Sequence, residues 1–230
     1  MKKAITKRLA TIILAFMILT LCLNYVLQIH NARNDMYLDA KDKFWQINQI
    51  LKQNEKETEQ VKEDLKANCL IRAKAAAYIL QYRPEITEDQ EEMEKIARLL
   101  QVDEFHLFNK EGTLYAGSEP KYFGLNFTSG EQMQFFLPML KDRELELCQD
   151  ITPNTAEQKL MQYAAVWRED GEGIVQIGLE PDRVLESMKK NELSYIFSLV
   201  TADSGTTIYA IDPGTYQILG CTDAEQAGKT

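Results

Sequence analysis

The chain has 230 residues, 45% of them hydrophobic, and a formal net charge of −9. All 35 acidic residues and 22 of the 26 basic ones follow Ile29, which leaves that part at −13. An acidic exterior of this kind argues against nucleic acid as a partner and against a basic patch held to anionic lipid. Two histidines and four cysteines without a C-x-x-C spacing give almost no material for a metal cluster or a Ser-His-Asp set, so no cofactor or metal is expected.

The first element is Leu9–Ile29, 21 residues without a charge, twelve of them Leu, Ile, Val or Phe. At about 1.5 Å per residue this length crosses a bilayer as a helix. Lys2, Lys3, Lys7 and Arg8 precede it, and the positive-inside rule then keeps residues 1–8 in the cytoplasm and delivers the rest to the other side. A buried core helix would carry a polar face, and a cleaved signal peptide would end on small residues rather than Asn24-Tyr25-Val26-Leu27-Gln28. The reading is an uncleaved transmembrane anchor.

Asn31–Arg83 contains no Gly and no Pro. Ala40, Phe44, Ile47, Leu51, Asn54, Thr58, Val61 and Leu65 follow a 4-3-4-3 spacing, a helix with one narrow seam that Asn54 and Thr58 weaken. From Cys69 to Leu80 the apolar face broadens. One helix of about 50 residues is predicted, its lower half a stalk and its upper half packed on a domain. Pro84 stops it, and Thr87-Glu88-Asp89-Gln90 offers a capping box for a second helix with Met93, Ile96, Ala97, Leu99 and Leu100 on its buried stripe.

At Asp103 the period becomes two. EFHLFNKEGTLYAGS predicts strand, turn and strand, with the turn at Asn109–Gly112. A loop, a short helix over Gly130–Lys141 and three strands at Glu144–Asp150, Leu160–Arg168 and Gly173–Leu179 follow, and Pro181 opens a helix with Val184, Leu185 and Met188 on one face. Near the end, Ile211-Asp212-Pro213-Gly214-Thr215 repeats the pattern of Phe108–Thr113, which suggests two related modules. A lone hairpin cannot bury a core, so the second module is expected to be cut short at Thr230.

Three stretches, FHLFNKEGTLYAG, GIVQIGLEPDRVLESM and IYAIDPGTYQILGCTDAEQAGK, together with the order of anchor, long helix and sheet module, resemble the double Cache (PAS-like) sensor domains of bacterial membrane receptors. The fold class this implies is α+β: an N-terminal transmembrane helix, a long stalk helix, a PAS-like antiparallel sheet with flanking helices, and the start of a second PAS-like module. The expected boundaries are 1–8 for the cytoplasmic tail, 9–29 for the anchor, 30–69 for the stalk, 70–190 for the membrane-distal module and 191–230 for the membrane-proximal one. The resemblance further implies an unknown small-molecule ligand, a homodimer in the cell membrane, no enzymatic activity in this region, and a cytoplasmic diguanylate cyclase or histidine kinase as output. The amino-acid-binding branch carries an Arg-x-Trp pair that is missing between Phe123 and Asp150.

Tyr115, Asp150, Tyr163 and Trp167 lie on predicted strands where the family's pocket is lined, and aromatic walls with a few polar groups suit a small ligand. The plainer reading makes Tyr163 and Trp167 core residues spaced four apart. His106 reads as a surface or wall histidine. AGKT at 227–230 lacks the first glycine of a phosphate loop, since position 223 is Asp223. Two other functions stand beside the sensor: an anchored structural or interaction protein assembling through the long helix, and an anchored hydrolase.

Overall fold

The computed structural model describes residues 2–200 and 206–223, with side chains at residue 9 and from residue 11 onward; the AGKT segment lies outside the described residues. Helix α1 runs unbroken over Lys2–Tyr82, 81 residues, because neither Gly nor Pro occurs in it. The anchor and the stalk are therefore one helix. It is the one described helix long and apolar enough to cross a bilayer. Its large apolar side chains from Leu9 to Ile29 are 38–66% exposed, and a helix apolar on all sides needs a surrounding other than water.

The chain forms two compact units, 1–53 with 192–230, and 54–191. In the first, Ile47 packs with Ile196, Phe197 and Val200 of α5 (Leu193–Leu199) and its cap. Strands β7 (Tyr209–Ile211) and β8 (Ile218–Cys221) pair antiparallel beside them. Gly220 lies so close to Leu193 O and the Phe197 ring that a Cβ would sit 2.9 Å from each. The sequence reading places no helix at α5, whose seven residues are too few for a clear period.

The second unit holds a six-stranded antiparallel sheet. Its strands are β1 (Glu104–Phe108), β2 (Leu114–Gly117), β3 (Leu147–Cys148), β4 (Thr152–Pro153), β5 (Leu160–Trp167) and β6 (Ile174–Leu179), in the order β2-β1-β6-β5-β3 with β4 also on β5. One face carries Phe105, Leu107, Ala164, Val166, Val175 and Ile177 and packs on Cys69, Ala73, Ala76, Ala77 and Leu80 of α1 and on α2 (Gln90–Leu100).

Three local expectations are corrected. The cap of α2 is Asp89, whose carboxylate accepts from Glu91 N and Glu92 N at 3.0 and 3.1 Å, while Thr87 is taken up in a 3-10 turn at Pro84–Glu88. The helix expected over Gly130–Lys141 splits into α3 (Glu131–Gln134) and a 3-10 turn at Leu137–Leu140, since Pro138 has no N–H to continue the ladder. The strand expected over Glu144–Asp150 shortens to β3 and resumes as β4.

The polar seam residues of α1 also find partners. Asn54 Nδ2 donates to Lys190 O at 2.7 Å, and Thr58 Oγ1 lies 2.8 Å from Ser187 Oγ and accepts from Asn191 Nδ2 at 3.0 Å. These groups sit on and just after α4 (Asp182–Lys189). Asn54 and Thr58 thus hold α4 and the residues just after it.

Candidate functional site

The other face of the sheet carries polar groups under a roof. On β1 the residues alternating with Phe105 and Leu107 are Glu104, His106 and Phe108, and all five are buried. The register sets His106 opposite Gln176, and Gly178 between Glu104 on one side and Tyr163 on the other. Above them lie Tyr122 in a 3-10 turn, Met133 of α3, and Asn154 in the loop after β4. Together they enclose a cavity of about 30 Å³, room for one or two waters or one small polar head group.

Its hydrogen bonds are specific. Tyr163 Oη donates to Glu104 Oε2 at 2.5 Å. His106 Nδ1 is 3.2 Å from Gln176 Oε1, and its Nε2 faces Glu104 Oε2 at 3.6 Å. The imidazole stacks on Tyr163 (6.2 Å between ring centres) and meets Tyr122 edge-on at 5.8 Å. Burial pulls the His106 pKa down to about 4, against a smaller opposing effect of the Gln176 hydrogen bond, so the ring is neutral. Burial also raises the Glu104 carboxyl above its ordinary value, and the Tyr163 hydrogen bond partly offsets this.

Three buried atoms of the lining have no partner among the described residues: His106 Nε2, Gln176 Nε2 and Asn154 Nδ2. Their residues are 4%, 3% and 3% exposed. Buried polar groups left unpaired cost about 1–3 kcal/mol each, so three around one cavity mark a place where further polar atoms belong. Asn154 is held in position because its Oδ1 accepts from Glu157 N and Lys159 N at 2.8 and 3.3 Å, which leaves its amide NH₂ turned to the cavity.

Gln132 and Thr155 line this cavity and also an open groove of about 650 Å³ that includes Asp150. Thr155 Oγ1 donates to Gln132 Oε1 at 3.2 Å, and Gln132 Nε2 donates to Gln149 Oε1 at 2.7 Å. Gly130 makes room for this contact, since a Cβ there would lie 2.5 Å from Thr155 Cγ2.

Of the four residues singled out in the sequence, Tyr163 lines the cavity. Asp150 lies outside it with its side chain 97% exposed, 3.7 Å from Lys66 Nζ. Tyr115 points from β2 toward solvent on the side of Arg168. Trp167 donates its indole N–H to Met139 O at 2.8 Å and carries Arg143 over its ring. The sequence reading missed Glu104, Gln176 and Asn154. His106, the wall histidine, is their neighbour. The readable signal for Glu104 and Gln176 was a polar residue at period two within strands otherwise wholly apolar.

No family model and no curated protein matches the chain. Solved structures do. The chain is similar to the sensor domain of DcuS from E. coli, with 21% identity, 56% of this chain and 98% of that one covered, and a TM-score of 0.41. It is similar to the ligand-binding domain of the Campylobacter jejuni chemoreceptor Tlp3 in complex with 4-methylisoleucine (11%, 83% and 73% covered, TM-score 0.45). A third is an extracellular ligand binding receptor from Desulfohalobium retbaense, at 15% identity and a TM-score of 0.42; the match takes in 75% of this chain and about a third of that receptor, 32%. DcuS and Tlp3 are sensor domains of the Cache type, the family that the sequence resembles.

Proposed function

We propose that the chain is the anchored sensor region of a signalling receptor, which binds a small molecule between the sheet and its roof. The observation that carries this is the convergence of His106 Nε2, Gln176 Nε2 and Asn154 Nδ2, each buried and unpartnered, on one cavity. A structural core would pair such atoms or replace them with apolar ones. The sheet lies between this cavity and α1. Cys69 Sγ of α1 donates to Gln162 O, and Gln162 is the neighbour of Tyr163 on β5. A ligand that moves Tyr163 or Gln176 therefore strains strands whose opposite faces rest on α1, and α1 continues into the apolar run. A ligand acts by binding one arrangement of these parts better than another.

In this reading residues 1–8 are cytoplasmic, 9–29 cross the membrane, 30–69 are the stalk, 70–190 form the distal sensing module and 191–230 begin a proximal one. The region is not itself an enzyme; a cyclase or kinase output would be cytoplasmic. Ile71, Tyr78 and Tyr82, 60–66% exposed along one face of α1, supply a surface for a homodimer.

The test is thermal unfolding of the chain in lipid nanodiscs against amines, organic acids, purines and sugars. A ligand present at 100 times its Kd adds about 2.7 kcal/mol to the folded state. The expected result is stabilisation by one chemical class, lost in His106→Ala. Silence from every class overturns the reading.

A further inference from the structure

The charge of the cavity wall restricts what can enter it, and this step rests on the sensor reading above. Thirteen residues line the cavity, and none is Lys or Arg. Glu104 is the one carboxylate among them. Among the described residues its one side-chain hydrogen bond comes from the uncharged Tyr163 hydroxyl, and no cation stands within salt-bridge distance apart from the neutral His106 ring.

The hydrogen-bond inventory adds an acceptor to the carboxylate. Because Gln176 Oε1 accepts, His106 Nδ1 carries the ring proton and Nε2 is a bare lone pair. Two acceptors, Nε2 and Glu104 Oε2, then face each other at 3.6 Å with no proton between them. Turning the Gln176 amide over lets His106 Nε2–H face Glu104 and puts Gln176 Oε1, now a bare acceptor, where its Nε2 stood. With Glu104 ionised, both arrangements give the cavity one negative charge, one bare acceptor and no lining cation, beside bare amide donors: Asn154 Nδ2 in both and Gln176 Nε2 in the first.

We infer that the cavity binds a small protonated amine: an ammonium group donating to Glu104 and to the spare acceptor beside it. The volume of about 30 Å³ holds such a head group and little more. Any chain attached to it leaves past Gln132 and Thr155 into the open groove that they also line. Asn154 Nδ2 is then placed to donate to an oxygen on the ligand near the ammonium. Carboxylates are repelled by the Glu104 charge.

The experiment measures Tm of the chain in nanodiscs with ammonium chloride, ethylamine, ethanolamine, acetamide, acetate and succinate, each against potassium chloride at equal ionic strength. Ammonium or an amine should raise Tm in proportion to the logarithm of its concentration. Ammonium alone identifies the free ion as the ligand, and a larger effect of the amines identifies a substituted one. Glu104→Gln should abolish the shift. Calorimetric titration of the unaltered chain gives the same answer should that variant fail to fold. A shift with acetate, succinate or acetamide but none with amines overturns the charge class and leaves the pocket standing. An equal shift with potassium chloride also overturns it. No shift with any compound overturns both.

Discussion

Tyr163 reaches Glu104 across an intervening strand. Its hydroxyl donates to the carboxylate at 2.5 Å, and the residue between them in the register is Gly178. A Cβ at Gly178 would lie 2.6 Å from Tyr163 Cε1. The missing side chain is what lets the ring lie over β6.

Gly178→Ala should therefore destabilise the chain by about 1–3 kcal/mol, the usual range for overpacking. Chemical denaturation checks this. The same variant should lose any ligand-induced rise in Tm, since Tyr163 no longer holds Glu104. A loss below about 0.5 kcal/mol, typical of an unconstrained surface change, would show that the ring has room to move aside.

His106 makes stability depend on acid. Its pKa falls from 6.5 in the unfolded chain to about 4 when folded, so the unfolded state takes up a proton first. Stability is full above the unfolded value and declines as pH falls from about 6.5 to about 4. At 1.36 kcal/mol for each pKa unit the loss reaches about 3 kcal/mol. Unfolding free energies measured between pH 7 and 4 should fall more steeply for the unaltered chain than for His106→Gln. Equal slopes would mean that the ring takes up its proton at the same pH in the folded and unfolded chain. Glu104 has the opposite sign: its raised folded pKa makes stability decline as pH rises past the ordinary carboxylate range.

Thr58→Val keeps the side-chain shape and removes the hydroxyl that meets Ser187 and Asn191. The expected cost is about 1 kcal/mol, because the half-buried partners each lose a bond. Gln60→Ala, two residues away and bonded only to Asp64 in the exposed helix surface, should cost a few tenths by comparison. Equal values would remove Thr58 from any docking role.

Thiol labelling should separate the cysteines of the sheet unit. The neighbouring Cys69 thiol lowers the pKa of Cys148, which is half-buried, whereas the Cys148 interaction and burial raise that of Cys69. Iodoacetamide at pH 7.5 should modify Cys148 before Cys69, and Cys69 only on unfolding, since the thiolate is the nucleophile. Peptide mass mapping over time reads the order. Prior modification of Cys69 would contradict it.

Much of the architecture was legible because period and punctuation are local. The charge-free run from Leu9, the shift to period two at Asp103 and the Asn109–Gly112 turn each depend on adjacent residues alone. In the structure Asn109 Oδ1 accepts from Thr113 N at 2.8 Å and Gly112 takes a φ of +78°. The second hairpin uses Asp212 in the same way, but its left-handed residue is Tyr216. The cavity was harder to read because β1 and β6 are buried on both faces. In EFHLF and IVQIGL the alternation separates two interiors, one apolar and one polar, rather than core from solvent. Sequence alone gives both patterns the same look. The partners of Asn54 and Thr58 were hidden for a related reason: they lie more than 125 residues away in the chain.

That separation also orders events during synthesis. The ribosome makes α1 first, and the groups that meet Asn54 and Thr58 are made only when Ser187, Lys190 and Asn191 emerge. Over the intervening stretch the Cys69–Leu80 face has no finished sheet to cover it, because β1 needs β6, some 70 residues later, to complete its pairing. The newborn chain is thus a tethered helix with an uncovered apolar side for most of its translation. Pauses or truncations before residue 174 should leave it a client of chaperones and proteases, whereas those after residue 191 should release a closed sheet unit.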